Sequence, residues 1–302
     1  MNEAAGFWQK YRPVIVLLVV ITALAIWVYF SGMDNQSGIP EITPFRATLL
    51  VVVGFIAGIL GGLIGTGGCS IMLPAIHFWM GYPAPIAIGT TIFAVIFTAL
   101  SGGYGHLVRG NLDKKAVLWI GSAGIVGVIL GSWLFTLRVE HIDLLELILG
   151  LAFLLPAIRM IWEGAGRAKP QQEGNTIPGN KGYWSVFGFL IGILTGIVGL
   201  GGGYALVPGL IYLFSAPVYI TMGSSLAVMI PLAAVAGSIK LYQGFVALTT
   251  ALILGAGTIL GAQLGAAVIK RFKPNTLKLI FRIYFLYVSV KFVAAYFGIA
   301  IW

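Results

Sequence analysis

Two stretches decide the reading of this chain: GLIGTGGCSIMLP at residues 62–74 and GIVGLGGGYALVP at residues 196–208. In each, a long apolar run is interrupted by glycines and resumes as a short apolar run with a proline in it. Wider windows, GFIAGILGGLIGTGGCSIMLPAI from Gly54 and GFLIGILTGIVGLGGGYALVPGL from Gly188, fix an offset of 134 residues. Without any gap, that offset also pairs Pro83 with Pro217, Gly89 with Gly223, Gly110 with Gly244 and Gly131 with Gly265. Unrelated glycine-rich helices would not agree in register at so many glycines and prolines. The sequence reads as two tandem copies of one unit.

What surrounds these stretches sets the class. The chain has 302 residues, 59% hydrophobic and 9% charged, with a mean hydropathy of +0.99. A soluble domain carries about 25% charged residues. Apolar runs near the ~20 residues that span a bilayer recur throughout. They fall at about 14–30, 45–65, 86–105, 115–135, 142–162, 184–200, 218–240, 247–268 and 277–297. Two shorter runs, 70–81 and 203–215, read as half-helices or as the second part of a broken helix. The expected fold is an all-α polytopic membrane protein. An N-terminal anchor helix and outer loop occupy 1–44, one membrane repeat 45–162 and the other 184–302. A hydrophilic linker at 163–183 separates the repeats.

The net charge of +9 does not point to nucleic acid, which needs a basic patch on a water-facing surface. The basic residues sit in short loops, where they set orientation. His106, Arg109, Lys114 and Lys115 share one loop, Arg167, Lys169 and Lys181 the linker, and Lys270, Arg271, Lys273 and Lys278 a third. All three fall on one side, together with Lys10 and Arg12, only if each repeat crosses an odd number of times. Five crossings per repeat then give two copies of opposite orientation, with a cytoplasmic N-terminus. Inverted repeats are a recurring transporter plan, with the substrate near the midplane between them. The run from Val14 to Phe30 ends in Trp27, Tyr29 and Phe30, and reads as a retained anchor rather than a cleaved signal. With one cysteine, Cys69, no intrachain disulfide forms, and the three histidines show no ligand-like spacing.

The chemistry concentrates in the glycine loops: Gly65, Thr66, Gly67, Gly68, Cys69 and Ser70 in the first copy, and Gly199, Gly201, Gly202, Gly203 and Tyr204 in the second. Clustered glycines break a helix and free backbone N–H groups. Within a bilayer that is tolerated only where backbone is buried in protein or lines a wet cavity. A following half-helix adds its positive N-terminus, which makes an anion site. Two such sites related by the repeat would face each other. Isolated glycines such as Gly127 and Gly131 instead suit close helix packing.

Thr90 and Thr91 match Ser224 and Ser225. Two readings stand for these hydroxyls: donors to an anion, or bonds to neighbouring backbone. His106 matches Lys240. Lys240 either snorkels to the interface or neutralises an anion near a cavity mouth. Apart from Glu146, the apolar runs lack acidic residues, so a carboxylate proton relay or cation path has no ligands. Neither glycine cluster continues into the Lys-Ser or Lys-Thr of a nucleotide-binding loop. No cofactor, metal site or catalytic cluster is expected.

The motifs GLIGTGGCSIMLP, GTT, GHLVRGNLDKKA, GIVGLGGGYALVP and GSS resemble the sulfite exporter TauE/SafE family. The resemblance spans about residues 54–297. It implies a bacterial inner-membrane permease exporting sulfite, an organosulfonate or a related sulfur anion. Cys69 stands where a third consecutive glycine is common in that family, so its side chain either narrows the site or reacts with sulfur substrates.

The combined expectation is an exporter of a small sulfur-containing anion. It would work by alternating access around paired glycine loops, with His106 or Lys240 lending long-range charge. The partners are the anion and the lipid bilayer. The glycine-rich faces could pack within one chain or between two, as a homodimer. The rival readings are a small-anion channel and a membrane scaffold without substrate.

Overall fold

The computed structural model describes residues 2–32, 39–137, 174–199 and 201–272, with isolated residues at 147, 154, 158 and between 276 and 297. The apolar runs at 142–162 and 277–297, Glu146, and most of the linker lie outside the described residues.

Among the described residues the secondary structure is entirely helical. The helices are α1 (Asn2–Ser31), α2 (Pro44–Ile64), α3 (Cys69–Pro74), α4 (Ala84–Val108) and α5 (Lys114–Thr136). They continue with α6 (Lys181–Val198), α7 (Gly203–Tyr212), α8 (Val218–Tyr242) and α9 (Leu248–Val268). Seven of them are long and apolar enough to cross a membrane: α1 from Tyr11, α2, α4, α5, α6, α8 and α9 with the turn that follows it. Their outer faces carry apolar side chains such as Val19, Trp27, Val126, Trp133 and Val186, all more than half exposed. This is a surface suited to lipid rather than water.

The helix ends follow from local chemistry. Thr43 caps α2 by accepting from the Arg46 N–H, and Pro44 opens it where no N–H is needed. Asn180 caps α6 through the Tyr183 N–H. The two short runs form short helices. After Pro74, which has no N–H to donate, α3 widens into a π-helical turn over Ala75–Trp79. Its counterpart α7 stays α-helical through Pro208 to Tyr212.

Packing is governed by the glycines, and it repeats at the 134-residue offset. Helix α2 lies along α9: Gly54, Gly58 and Gly62 press on the backbone of Leu254, Thr258 and Ala262. Helix α6 lies along α5: Gly188, Gly192 and Gly196 press on Ile120, Gly124 and Val128. Contact numbers rise together along both pairs, so each pair runs parallel. The matched helices α4 and α8 cross in the opposite sense, with Gly103 against Ala227 and Ile230 and Gly237 against Phe93 and Ile96. A β-carbon at most of these positions would meet backbone, so only glycine allows the approach. Helix α1 packs on α9 through Val14, Ile21, Ala25 and Val28.

Candidate functional site

The site grows from two helix ends. Helix α2 stops at Gly65, which is left-handed at φ 82° and returns its N–H to the Gly61 carbonyl. Helix α6 stops the same way at Gly199, φ 68°, bonded to Thr195. Two further glycines in each loop, Gly67 and Gly68, then Gly201 and Gly202, also have φ between 70° and 78°. L-residues with side chains rarely take this conformation, so the glycine clusters make the breaks.

The first loop then folds back along α2, placing Gly68 against Ala57 and Gly61. The first backbone bonds of α3 run from the Ile71 and Met72 N–H groups to the Gly68 carbonyl. Those of α7 run from Ala205 and Leu206 to Gly202. The amides of residues 68–70 and 202–204 thus precede any intrahelical acceptor.

The two loops meet. A methyl group on Gly203 would lie 2.6 Å from the Thr66 Cα. Gly67 and Gly201 both face the same two side chains, Val95 of α4 and Met229 of α8, which are themselves repeat equivalents. Every residue from Gly61 to Ser70 is buried, as are Gly199 and Gly201–Tyr204. The sequence reading put a wet cavity between the loops. Here apolar side chains stand directly over the second glycine of each loop.

The matched hydroxyls bond to backbone. The Thr90 hydroxyl accepts from the Ala247 N–H at 3.0 Å, and that of Ser224 accepts from the Asp113 N–H at 2.9 Å. Ala247 and Asp113 are the N-caps of α9 and α5, so each pair joins one copy to a helix start in the other. Thr91 donates within α4, to Ala87 at 2.8 Å and Ile88 at 3.1 Å. Ser225 donates across the copies to the Gly65 carbonyl at 2.8 Å. Cys69 is buried, its Sγ 3.8 Å from the Thr66 carbonyl.

His106 and Lys240 diverge. The His106 Nε2 donates to the Gly62 carbonyl at 2.8 Å, and the Asn111 amide lies 3.5 Å from its Nδ1. Lys240 does not snorkel: it is fully buried, its ammonium 2.9 Å from the centre of the Phe135 ring.

Sequence reasoning passed over Val95 and Met229, although they match at the repeat offset. It also passed over Asp113. That carboxylate accepts from the Lys115 and Ala116 N–H groups and, at 2.8 Å, from Ile177 at the end of the linker. An aspartate just ahead of a helix-length apolar run, here with Lys114 and Lys115 between, is an N-cap signature and carried the signal. No group of three or more potential metal ligands occurs among the described residues.

The family model for the sulfite exporter TauE/SafE matches residues 50–292, taking in both glycine loops and both hydroxyl pairs. The chain belongs to the sulfite exporter TauE/SafE family. It is 28% identical over 268 residues to probable membrane transporter protein YunE of Bacillus subtilis (strain 168), covering 81% of this chain and 96% of that one. It is 30% identical over 219 residues to probable membrane transporter protein YdhB of the same organism, covering 72% and 88%. With probable membrane transporter protein MJ0441 of Methanocaldococcus jannaschii it shares 28% identity over 248 residues, covering 76% and 89%. No solved structure matches the chain. As a TauE/SafE member with seven apolar helices of spanning length among its described residues, the protein is a multi-pass membrane transporter.

Proposed function

We propose that this transporter exports a small sulfur-containing anion, sulfite or an organosulfonate, by alternating access, with the anion held where the two glycine loops meet. The observation that carries the reading is that Gly67 and Gly201 converge on the same pair of side chains, Val95 and Met229. The amides of Gly68, Gly202 and Gly203 lie at helix starts, where backbone N–H groups suit an anion. The family description points to sulfite.

The two repeats are taken as inverted copies. In support, α4 and α8 occupy equivalent places in the sequence and run antiparallel, whereas copies of like orientation would lay them parallel. With the basic loops on the cytoplasmic side, the N-terminus lies inside and the protein sits in the plasma membrane. The packing of Val95 and Met229 over both loops then corresponds to a closed state. Opening to either side requires one copy to rock against the other, and parallel glycine faces, which seat whole helices as rigid pairs, suit that motion.

Direction follows from electrostatics. One charge moved through 100 mV is worth about 2.3 kcal/mol, so an inside-negative potential drives an anion outward without a coupled ion. The test is sulfite efflux from proteoliposomes under an imposed potassium-diffusion potential. Efflux should rise as the interior is made more negative, and substitution of Gly201 by valine should abolish it. Efflux indifferent to voltage would overturn electrogenic export, and unitary currents in planar bilayers would replace the transporter by a channel.

A further inference from the structure

The matched pair His106 and Lys240 breaks the symmetry of the two copies. In the first copy the imidazole is held between the Gly62 carbonyl and the Asn111 amide. In the second, the Lys240 ammonium is wholly buried and has no hydrogen-bond partner. Beneath it lies the ring of Phe135, which in turn packs edge-to-face with Phe245, centroids 5.5 Å apart. A ring face attracts a cation, but it offers no oxygen. A buried amine with no hydrogen-bond partner is costly.

Two other buried polar atoms without partners lie one turn along the same two helices. Ser132, one turn before Phe135 on the same face of α5, has an unpaired hydroxyl. Gln243, one turn after Lys240 at the end of α8, has an unpaired side-chain oxygen, and its amide can turn either end toward a ligand. An ammonium, a hydroxyl and a carboxamide are together a donor set for an oxyanion. Lys240 lies eleven residues beyond Met229 on α8, which at the rise of an α-helix is ~16 Å from the layer between the glycine loops.

We infer that Lys240, with Ser132 and Gln243, forms a second anion station, separate from the glycine loops and present at only one end of the path, for a small oxyanion of the sulfite class. The inference rests on the glycine-loop reading of the transport site. Full burial of Lys240 excludes a lipid headgroup with its acyl chains. The one-sided station makes the path unequal in its two directions, which two identical copies could not do.

The experiment uses the full chain, purified in detergent and reconstituted. Sulfite binding is measured by calorimetric titration for wild type, K240M, K240R and Gly201→Val, with sulfite efflux and thermal unfolding alongside. Wild type should bind two sulfites and K240M one, with efflux from K240M reduced at least tenfold and largely restored in K240R. Gly201→Val should keep the Lys240 station and lose the other. In anion-free buffer K240M should unfold at a higher temperature than wild type, because a buried polar group without a partner has been removed, and sulfite should stabilise it less. Unchanged stoichiometry and efflux in K240M would overturn the station alone. A K240M protein less stable than wild type without anion would mark a merely structural lysine and overturn it equally. Chloride stabilising as well as sulfite would overturn the oxyanion assignment, and a wild type that binds no sulfite would remove the transport reading and the station together.

Discussion

Ser225 of the second copy donates its hydroxyl proton to the carbonyl of Gly65, the residue that ends α2 in the first copy, at 2.8 Å. The bond holds a broken helix end in place where no water competes for the carbonyl. Thr91, its repeat equivalent, spends its proton inside its own helix. Replacing Ser225 by alanine leaves a buried carbonyl short of a donor, a loss of about 1–3 kcal/mol. Thr91→Ala should cost clearly less. Thermal unfolding of the two variants side by side checks the difference, and equal losses would count against the cross-copy bond.

Gly201 meets two obstacles to any side chain. Its φ is +70°, and a β-carbon would sit 2.6 Å from the Met229 Cε. Left-handed backbone costs a residue such as alanine about 1–2 kcal/mol, and crowding a packed site adds about 1–3 kcal/mol. Gly201→Ala combined with Met229→Ala should regain only the crowding part. Stability measured across the double-mutant cycle separates the two. Complete rescue would mean that backbone strain plays no role there.

The helix-packing glycines should behave as a matched set. Gly58 and Gly192 are repeat equivalents, and each presses on neighbouring backbone, of Thr258 and of Gly124. Isoleucine at either should prevent α2 from seating on α9 or α6 on α5, with loss of the monodisperse peak in size-exclusion chromatography. Gly121 has only the Pro231 ring at 3.6 Å, an ordinary contact. Gly121→Ala should elute as wild type.

Asp113 anchors the end of the linker to α5 through the Ile177 N–H. Alanine there removes the helix cap and leaves the Ile177 donor unmet in a buried place, each worth about 1–2 kcal/mol. Asparagine keeps an acceptor and should lose about half as much. Sulfite affinity should stay the same in Asp113→Asn, since the residue is remote from the loops in function. A calorimetric titration alongside a melting curve tests both parts, and an altered affinity would bring Asp113 into the anion path.

Several features were legible in the residues alone. Apolar runs of spanning length announce membrane helices because a bilayer offers no other way to satisfy backbone groups. Clustered glycines at 65–68 and 199–203 announce broken helices, since no other residue takes three left-handed positions so closely spaced. The 134-residue offset pairs residues one by one, and the helix-packing contacts of the glycines obey it. What the hydroxyls do was not legible. Two readings stood open for Thr90 and Ser224, donors to an anion or bonds to backbone, and in the structure they accept from the N–H groups of Ala247 and Asp113, which stand more than a hundred residues away.

Composition, run length and the recurrence of glycines and prolines at an offset of 134 residues are properties of order along the chain, and they were enough to make it a polytopic membrane protein. Which atoms meet came only from the packing of helices. It brought Gly67 and Gly201 onto one apolar pair, gave His106 a carbonyl and left Lys240 none. The physical reason is distance. Hydropathy acts residue by residue, whereas a hydrogen bond or a filled void depends on positions to within a fraction of an ångström, set by helices remote from one another in sequence.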